Sequence, residues 1–325
     1  RHHPRARRPK GRGAVLGDAD VGRGDAESRA VHPVEAPLVG DERDEGVPIV
    51  DEGQALGLVL QVLVEPDGAE ASTPVGERAA EVDRVGVLAV VALGLGMVMP
   101  LYRRYFRVLS YGEERIPRAG SALLAANHSG TIPVDGAMLW ADVLLRSRRV
   151  LRPIADHFVP TLPWIGSLFM RGGVVGGVRG NAQTLLDTGE LVVIFPEGVP
   201  GIGKNFSERY QLQDWRVGHA ELAIRHSAPV VPVALVGPEE QMPQLTKIQI
   251  PGKIFGFPHI PIPLTPIPLP VRYHIHYGDP LPFDKDYRPE EADDPATVRA
   301  AAARVKAAVA TLLEKGLEMR SGVFD

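Results

Sequence analysis

The sequence predicts an α/β fold in which a mixed, mostly parallel sheet is flanked by helices. Short apolar runs of strand length alternate along the chain with longer segments of helical pattern, which is the order that builds such a sheet. Two of these runs end directly in polar residues and glycine, as buried parallel strands do at the ligand-binding edge of a sheet. They are Ala122–Ala126, which leads into Asn127-His128, and Leu191–Phe195, which leads into Pro196-Glu197-Gly198.

The other elements follow from the same patterns. Further strands are expected where mostly apolar runs of four to eight residues recur, and helices where longer mixed segments separate them. The last helix is rich in alanine with charges spread along it, which is typical of a closing amphipathic helix. The further predicted strands are Val150–Ala155, Val230–Val236 and Tyr273–Tyr277, and the predicted helices are Asp135–Arg146, Leu162–Met170, Asn181–Thr188, Gly218–Arg225 and Pro295–Leu317.

Prolines recur through Pro258–Pro270. Proline donates no backbone hydrogen bond, so this segment is expected to be neither a helix nor a central strand. An extended apolar ribbon on the surface fits the pattern. It either packs against the core or lies along an apolar groove or a membrane.

Composition limits the chemistry. The chain has 325 residues, of which 44% are hydrophobic, enough for one large domain or two smaller ones. A net charge of -4 argues against a nucleic-acid binder. Because there is no cysteine, disulfides, thiolate nucleophiles and sulfur-ligated metals are excluded. Histidine and carboxylates are left to carry the chemistry, and no metal site is expected.

Residues 1–84 differ in kind from the rest, since every aromatic residue falls at Tyr102 or later. A stretch without aromatics buries little apolar surface. Two interpretations stay open: a disordered extension of mixed charge, or a segment foreign to the natural protein. Residues 85–107 form a second region, an apolar run followed by Arg103, Arg104 and Arg107 among aromatics. This pattern predicts either a membrane-proximal interfacial helix or a helix packed on the domain formed by residues 108–325.

His128 is the strongest candidate for a catalytic base. A histidine at a strand end accepts a proton from a reacting hydroxyl when a carboxylate holds its ring in the correct tautomer. Asp135 is the expected partner, although six residues separate the two. Asp135 is also a candidate N-cap for the following helix, and both roles are compatible if the loop bulges. Asp156 and His157 are the reserve pair.

The run Phe195-Pro196-Glu197-Gly198 is the second candidate. One interpretation is purely structural: a turn after a strand, with the glutamate in solvent. Its functional interpretation is one wall of a substrate site beside His128.

Four motif blocks follow one another along the chain: Asn127-His128 with Asp135, Gly166-Ser167-Leu168-Phe169-Met170-Arg171, Phe195-Pro196-Glu197-Gly198, and Val230-Val231-Pro232-Val233. Together they resemble the ordered motifs of the glycerolipid and lysophospholipid acyltransferases, and the resemblance runs from about Leu101 to the end of the chain. It implies a glycerol-3-phosphate acyltransferase-like fold and transfer of a fatty acyl group from acyl-CoA or acyl carrier protein to a hydroxyl of a membrane glycerolipid or lysophospholipid.

The resemblance also assigns roles. His128 is the implied general base and Asp135 its orienting partner, Arg171 contacts a phosphate, and the remaining implied substrate contacts are Asn127, Phe195, Pro196, Glu197 and Gly198. No cofactor is needed, because the thioester co-substrate is already activated. The protein is expected at the cytoplasmic face of a membrane, attached peripherally.

This sequence departs from the family in two places. The histidine and aspartate of the family have four residues between them, not six. The usual Thr-Arg-Ser after the Phe-Pro-Glu-Gly motif is replaced by Val199-Pro200-Gly201, so the phosphate-binding arginine is missing. Lys204 and Arg209 are close enough to replace it or are solvated charges, and Lys204 is the expected substitute. Two other functions are weighed: a lipid-ester hydrolase, against which stands the absence of a Gly-x-Ser-x-Gly motif, and a non-catalytic lipid-binding module.

Overall fold

A computed structural model describes residues 91–129, 132, 134–155, 173–254 and 257–325, all within the compact unit Ile49–Asp325. Their main sheet has seven strands in the order β1-β9-β6-β2-β5-β3-β4. Every neighbouring pair in it is parallel except β6 and β9, which are antiparallel. The predicted mixed, mostly parallel sheet is confirmed. The strands of the main sheet are β1 (Leu109–Tyr111), β2 (Ala122–Ala126), β3 (Leu151–Ala155), β4 (Val175–Gly176), β5 (Leu191–Ile194), β6 (Val230–Val236) and β9 (His274–Tyr277).

Helices cover the sheet between these strands. Residues 91–100 are α-helical (α1) and continue into a π-helical turn, Leu101–Tyr105. The predicted helix Leu162–Met170 and residues 1–84 lie outside the described residues. The other helices are α2 (Val134–Ser147), α3 (Arg179–Asp187), α4 (Val199–Ile202), α5 (Gly218–Arg225), α6 (Pro238–Gln241), α7 (Phe283–Asp286) and α8 (Pro295–Met319).

Alternate residues of the central strand β2 enter two different cores. Leu124 and Ala126 pack with α1 and α2 on one face, and Leu123 and Ala125 pack with α5 and α8 on the other. This alternation is the two-residue period of a strand that is buried on both faces. Because β2 lies between β5 and β6, the carboxyl ends of three parallel strands meet at one edge of the sheet.

Helix α1 is held to the domain by one apolar face and by a buried carboxylate. Val91, Leu95 and Met99 are buried in the core. The Tyr102 hydroxyl then donates to Asp142 Oδ1 of α2 at 2.5 Å, and Asp142 Oδ2 accepts from the Tyr277 hydroxyl at 2.7 Å. The helix is therefore an integral part of this core. Among the described residues, none of the helices has the length and apolar character needed to cross a membrane.

The proline-rich segment is extended, as expected, but it is paired. Its first part forms β8 (Phe257–Pro263), which pairs with β7 (Gln244–Ile254) in a separate antiparallel sheet of two strands. A strand in such a pair needs backbone N–H groups along one edge only. Pro261 and Pro263 are two positions apart and so fall on the same edge. The sequence prediction missed β7 and this pairing.

Three buried histidines have pKa values lowered to about 4, in each case mainly by burial: His219, His274 and His276. In the unfolded chain these groups bind a proton near the ordinary value of 6.5. Their contribution to stability is therefore full above about pH 6.5 and is lost as the pH falls toward 4. Glu239 changes the pH dependence of stability in the opposite direction, because burial raises its pKa from 4.5 to about 7.

We expect the free energy of unfolding to fall by roughly 2 to 3 kcal/mol per pH unit between about pH 6 and pH 4.5. Each group contributes up to about 1.4 kcal/mol per unit, and three histidines outweigh one glutamate. Urea unfolding at a series of pH values measures this slope, and His276→Asn should make it shallower by removing one titrating group. A stability that stays constant across this range would contradict the assignment of neutral buried histidines.

Candidate active site

His128 and Asp135 form a hydrogen-bonded pair at the carboxyl end of β2. His128 Nδ1 lies 2.8 Å from Asp135 Oδ2. Asp135 is fully buried, whereas the side chain of His128 is 14% exposed. A neutral ring that donates from Nδ1 to the carboxylate leaves the lone pair of Nε2 to accept a proton. This is the arrangement of a general base with its orienting group.

Asp135 also organises the backbone around the pair. It lies in the first turn of α2, where its Oδ2 accepts from Ser129 N at 2.9 Å and its Oδ1 accepts from Gly136 N at 2.8 Å. One carboxylate thus bonds the histidine ring, the loop after β2 and the start of the helix. The longer spacing between His128 and Asp135 does not prevent their contact, because the loop brings the two side chains together.

The ring of His128 stacks on the side chain of Phe195, the residue that follows β5. The ring centroids of His128 and Phe195 are 4.3 Å apart with an angle of 29° between their planes. Phe195 begins a turn, which is closed by a hydrogen bond of 3.0 Å from Gly198 N to the carbonyl oxygen of Phe195. Gly198 has φ +56°, a conformation that favours glycine. We call residues 195–198 the Phe195–Gly198 turn.

The close approach of neighbouring backbone explains why position 201 is also a glycine. A Cβ atom at Gly201 would lie 2.9 Å from the carbonyl oxygen of His128 and 2.8 Å from Cβ of Glu197. A larger residue at this position in α4 would displace the loop that carries His128.

Glu197 is buried and supports this loop. Its Oε1 accepts from the backbone N–H of His128 at 3.3 Å, and its Oε2 accepts from the backbone N–H of Gln213 at 3.0 Å. Lys204 Nζ lies 3.3 Å from the same Oε2. These bonds give Glu197 a positioning role toward His128, and its expected acceptor contact stays a prediction.

Lys204 lies between two carboxylates. Its Nζ is 2.8 Å from Oε1 of Glu239, and the lysine side chain is only 4% exposed. Glu239, in α6 after β6, also accepts from Tyr210 N at 2.7 Å. The ammonium charge is thus neutralised inside the protein. The sequence expectation that Lys204 binds an acceptor phosphate does not fit this geometry, because the ammonium is buried between two carboxylates. The sequence around Lys204 gives no sign of this arrangement, since Glu239 lies 35 positions further along the chain.

Replacing Lys204 with methionine should destabilise the fold by about 3 to 5 kcal/mol, because Glu197 and Glu239 would remain buried without their cation. Denaturant unfolding measures the loss, and Lys285→Met, at an exposed position of α7, serves as the control. Wild-type stability combined with a higher KM for a phosphorylated acceptor would instead return Lys204 to the phosphate role.

Asn127 is fully buried, and both ends of its amide bond the backbone of Leu235. Its Nδ2 donates to the Leu235 carbonyl oxygen at 3.1 Å, and its Oδ1 accepts from Leu235 N at 2.7 Å. The side chain joins the ends of β2 and β6, and its expected substrate contact stays a prediction. Pro196 is likewise buried within the Phe195–Gly198 turn. Arg171 and the reserve pair Asp156 and His157 lie outside the described residues.

The sequence analysis missed three residues at this site. Glu239 and Gln213 hold Lys204 and Glu197, as described above. The third is Arg216, whose guanidinium carbon would lie 3.5 Å from a Cβ atom built on Gly198. Neither an unusual spacing nor a motif marks these positions, and only the meeting of β2, β5 and β6 brings them together.

Comparisons with known proteins match the part of the chain that contains this site. Residues 107–236 match the family model described as Acyltransferase. A protein of Mycobacterium tuberculosis named as uncharacterized is 38% identical over 234 residues, which are 69% of this chain and 65% of that relative. The "DGAT1/2-independent enzyme synthesizing storage lipids" of Gallus gallus is 31% identical over 209 residues, 63% of this chain and 58% of its own length.

The chain thus spans just under two thirds of the length of its mycobacterial relative. The crystal structure of the 1-acyl-sn-glycerophosphate (LPA) acyltransferase PlsC from Thermotoga maritima is also similar, with a TM-score of 0.49 and 16% identity over 82% of this chain and 89% of that one. The part of the chain that matches the acyltransferase family model, residues 107–236, contains His128, Asp135 and the Phe195–Gly198 turn.

Proposed function

We propose that this protein transfers a fatty acyl group from a thioester, acyl-CoA or acyl carrier protein, to a hydroxyl of a glycerolipid or lysophospholipid. The observation that carries the proposal is the His128–Asp135 pair, 2.8 Å apart, beside the Phe195–Gly198 turn. The acyltransferase family model covers both features. A lipid-binding module would need no buried carboxylate aligned on a partly exposed histidine.

In the proposed reaction, Nε2 of His128 removes the proton of the acceptor hydroxyl as its oxygen attacks the thioester carbonyl carbon. The imidazolium that forms is stabilised by Asp135, to which Nδ1 donates. The tetrahedral intermediate then expels the thiolate, which takes the proton from Nε2. An ester and a free thiol are the products, and the histidine returns to its neutral form. This scheme requires no cofactor besides the co-substrate.

The name of the Gallus gallus relative refers to the synthesis of storage lipids. That name supports testing neutral glycerides beside lysophospholipids. Purified protein with radiolabelled acyl-CoA should acylate one class in a panel of lysolipids, monoacylglycerol and diacylglycerol. Thioester loss at the same rate with no acceptor would favour the hydrolase, and binding of lipid without turnover would favour the lipid-binding module.

A peripheral position at the cytoplasmic face of a membrane is part of the proposal. Helix α1 buries one face but exposes a second apolar stripe, with Leu93, Met97 and Leu101 exposed by 60%, 51% and 41%. Arg103 and Arg104 follow directly. An apolar stripe next to arginines fits an interface that contains anionic lipid.

We therefore expect the protein to float with vesicles that contain phosphatidylserine and to be released largely by high salt. A Leu93→Ser/Met97→Ser variant should bind less, because it removes two apolar side chains from this stripe. It should stay folded, because both side chains are exposed and contribute little to the core. Wild-type binding by this variant would contradict the assigned surface.

A further inference from the structure

Exposed apolar side chains are concentrated in two segments that lie far apart in the sequence. One is residues 91–105, which form α1 and the π-helical turn, and the other is residues 244–270, which begin with the two-stranded sheet β7–β8. Among the described residues, seven of the twelve large apolar side chains that are exposed lie in these segments. Such a concentration marks a contact surface, whereas single exposed residues do not. Beside the stripe of α1 they are Leu245, Ile248, Leu264 and Ile267, each exposed by 54% to 68%.

The two segments meet at the end of α1. The exposed stripe of this helix recurs every four residues and ends at Leu101, and Tyr105 follows after another four. The Tyr105 hydroxyl donates to the carbonyl oxygen of Pro268 at 2.5 Å, next to the exposed Ile267. The apolar stripe of α1 therefore continues onto the proline-rich residues after β8. We call the exposed apolar side chains of these two segments the α1–β8 surface.

The start of β7 is bonded to the candidate active site. Gln241, the last residue of α6, donates from Nε2 to the carbonyl oxygen of Ile132 at 3.4 Å. Ile132 is 40% exposed and lies in the loop that follows His128. Gln244, the first residue of β7, donates from Nε2 to the carbonyl oxygen of Gly203 at 3.2 Å, directly after α4. The α1–β8 surface therefore reaches the loop of the catalytic base.

The charges of both segments have one sign. Residues 91–107 contain three arginines, residues 244–270 contain two lysines, and neither range contains an acidic residue. The chain as a whole has 40 acidic residues and a net charge of -4, so this part of the molecule differs from the rest. Apolar side chains among cations complement anionic lipid. A second copy fits less well, because two basic surfaces would then face each other and repel.

We propose that the two-stranded sheet β7–β8 and the proline-rich residues after it dock on an anionic lipid bilayer, which supplies the acceptor lipid to His128 at this point. Delivery of the acceptor rests on the proposed function, whereas docking does not. The contact adds to the stripe of α1 and lies next to the loop of the catalytic base. An acceptor that leaves the bilayer here reaches the site without crossing bulk water.

Docking is tested by flotation with vesicles of phosphatidylcholine and phosphatidylserine. Ile248→Ser and Ile267→Ser each remove an exposed apolar side chain from the α1–β8 surface, and Val178→Ser removes one of similar exposure beside β4, at the other end of the main sheet. We expect each of the first two to lower the partition coefficient about 3- to 10-fold and their combination about 10- to 100-fold, because each side chain loses apolar area that the bilayer covers. Val178→Ser should bind as the wild type does.

A fluorescent label tests the same contact while the other side chains of the surface stay in place. The chain contains no cysteine, so Ile248→Cys carries one environment-sensitive fluorophore on β7, and Val178→Cys carries one at the control position. When vesicles are added, the emission of the first label should shift to the blue as it leaves water. The emission of the second label should stay constant.

Delivery is tested by kinetics with one acceptor class in two forms, a long-chain lipid in vesicles and a short-chain lipid dissolved as monomers. In Ile248→Ser/Ile267→Ser, KM for the lipid in vesicles should rise about 10- to 100-fold, in parallel with the loss of binding. The kcat value and KM for the dissolved lipid should change less than 3-fold, because neither side chain takes part in the reaction.

Wild-type flotation by Ile248→Ser/Ile267→Ser together with an unshifted label, or an equal loss in Val178→Ser, would overturn docking. A wild-type dimer that this double variant converts to a monomer would assign the surface to a second copy and would also overturn it. An equal rise in KM for lipid in vesicles and in solution would overturn delivery. Should the wild type acylate no acceptor, the proposed function fails, while flotation and the label still decide docking.

Discussion

Replacing His128 with alanine should lower kcat for acyl transfer by roughly 100- to 10,000-fold while the protein stays folded. The variant loses Nε2, the nitrogen that accepts the hydroxyl proton in the proposed reaction. Asp135 would keep its bonds from Ser129 N and Gly136 N, so its carboxylate would not be left unpaired. Thiol release from acyl-CoA, followed with a thiol reagent, and product ester measured in parallel give kcat.

The chain supplies a matched control for this experiment. His226 Nδ1 lies 2.6 Å from Asp187 Oδ1, so it is a second histidine and aspartate pair, but Asp187 is 65% exposed. The pair joins the end of α5 to the last residue of α3. His226→Ala should leave kcat unchanged. Equal activity of His128→Ala and wild type would remove the general base from the mechanism.

Asp135→Asn should produce the second largest loss, also roughly 100- to 10,000-fold in kcat. If the new amide donates to Nδ1 of His128, the ring proton moves to Nε2 and the base is lost, as happens when the aspartate of a catalytic triad is replaced. The variant should also lose about 1 to 3 kcal/mol of stability. Ser129 N and Gly136 N donate to different oxygens of Asp135, and an asparagine amide has one oxygen.

This substitution separates catalysis from support of the backbone, because asparagine keeps one oxygen for the backbone bonds but cannot stabilise an imidazolium. Asp187→Asn, in the exposed pair, is the control and should remain active. A stable Asp135→Asn variant with full kcat would confine Asp135 to a structural role. The kcat value must be measured below the unfolding temperature of each variant so that lost stability is not counted as lost catalysis.

The sequence predicted the central architecture well because buried strands carry a strong local signal. Ala122–Ala126 and Val230–Val236 are strands with the predicted bounds, and Gly218–Arg225 is a helix with the predicted bounds. The two strands consist of apolar residues, and the helix repeats apolar residues at helical spacing, among them Ala220, Ala223 and Ile224. The same alternation predicts that the strands enter one mostly parallel sheet, but it does not predict their order.

The roles of the polar residues were harder to predict, because they depend on partners that are distant in sequence. Lys204 meets Glu239 across 35 positions, and Asn127 meets Leu235 across 108. Local patterns carry no information about such pairings. Residues chosen for chemical type, His128 and Asp135, do meet, whereas Glu197, Lys204 and Asn127 are committed to holding the loop and strands around them.

The most direct test of the account follows thiol and ester together in one reaction of purified protein with acyl-CoA, with and without the acceptor chosen from the panel. The account predicts that one ester forms for each thiol released, that both depend on the acceptor hydroxyl, and that His128→Ala loses both while His226→Ala retains them. Thiol release that is independent of acceptor, or ester formation that persists in His128→Ala, would contradict general base catalysis of acyl transfer at this site.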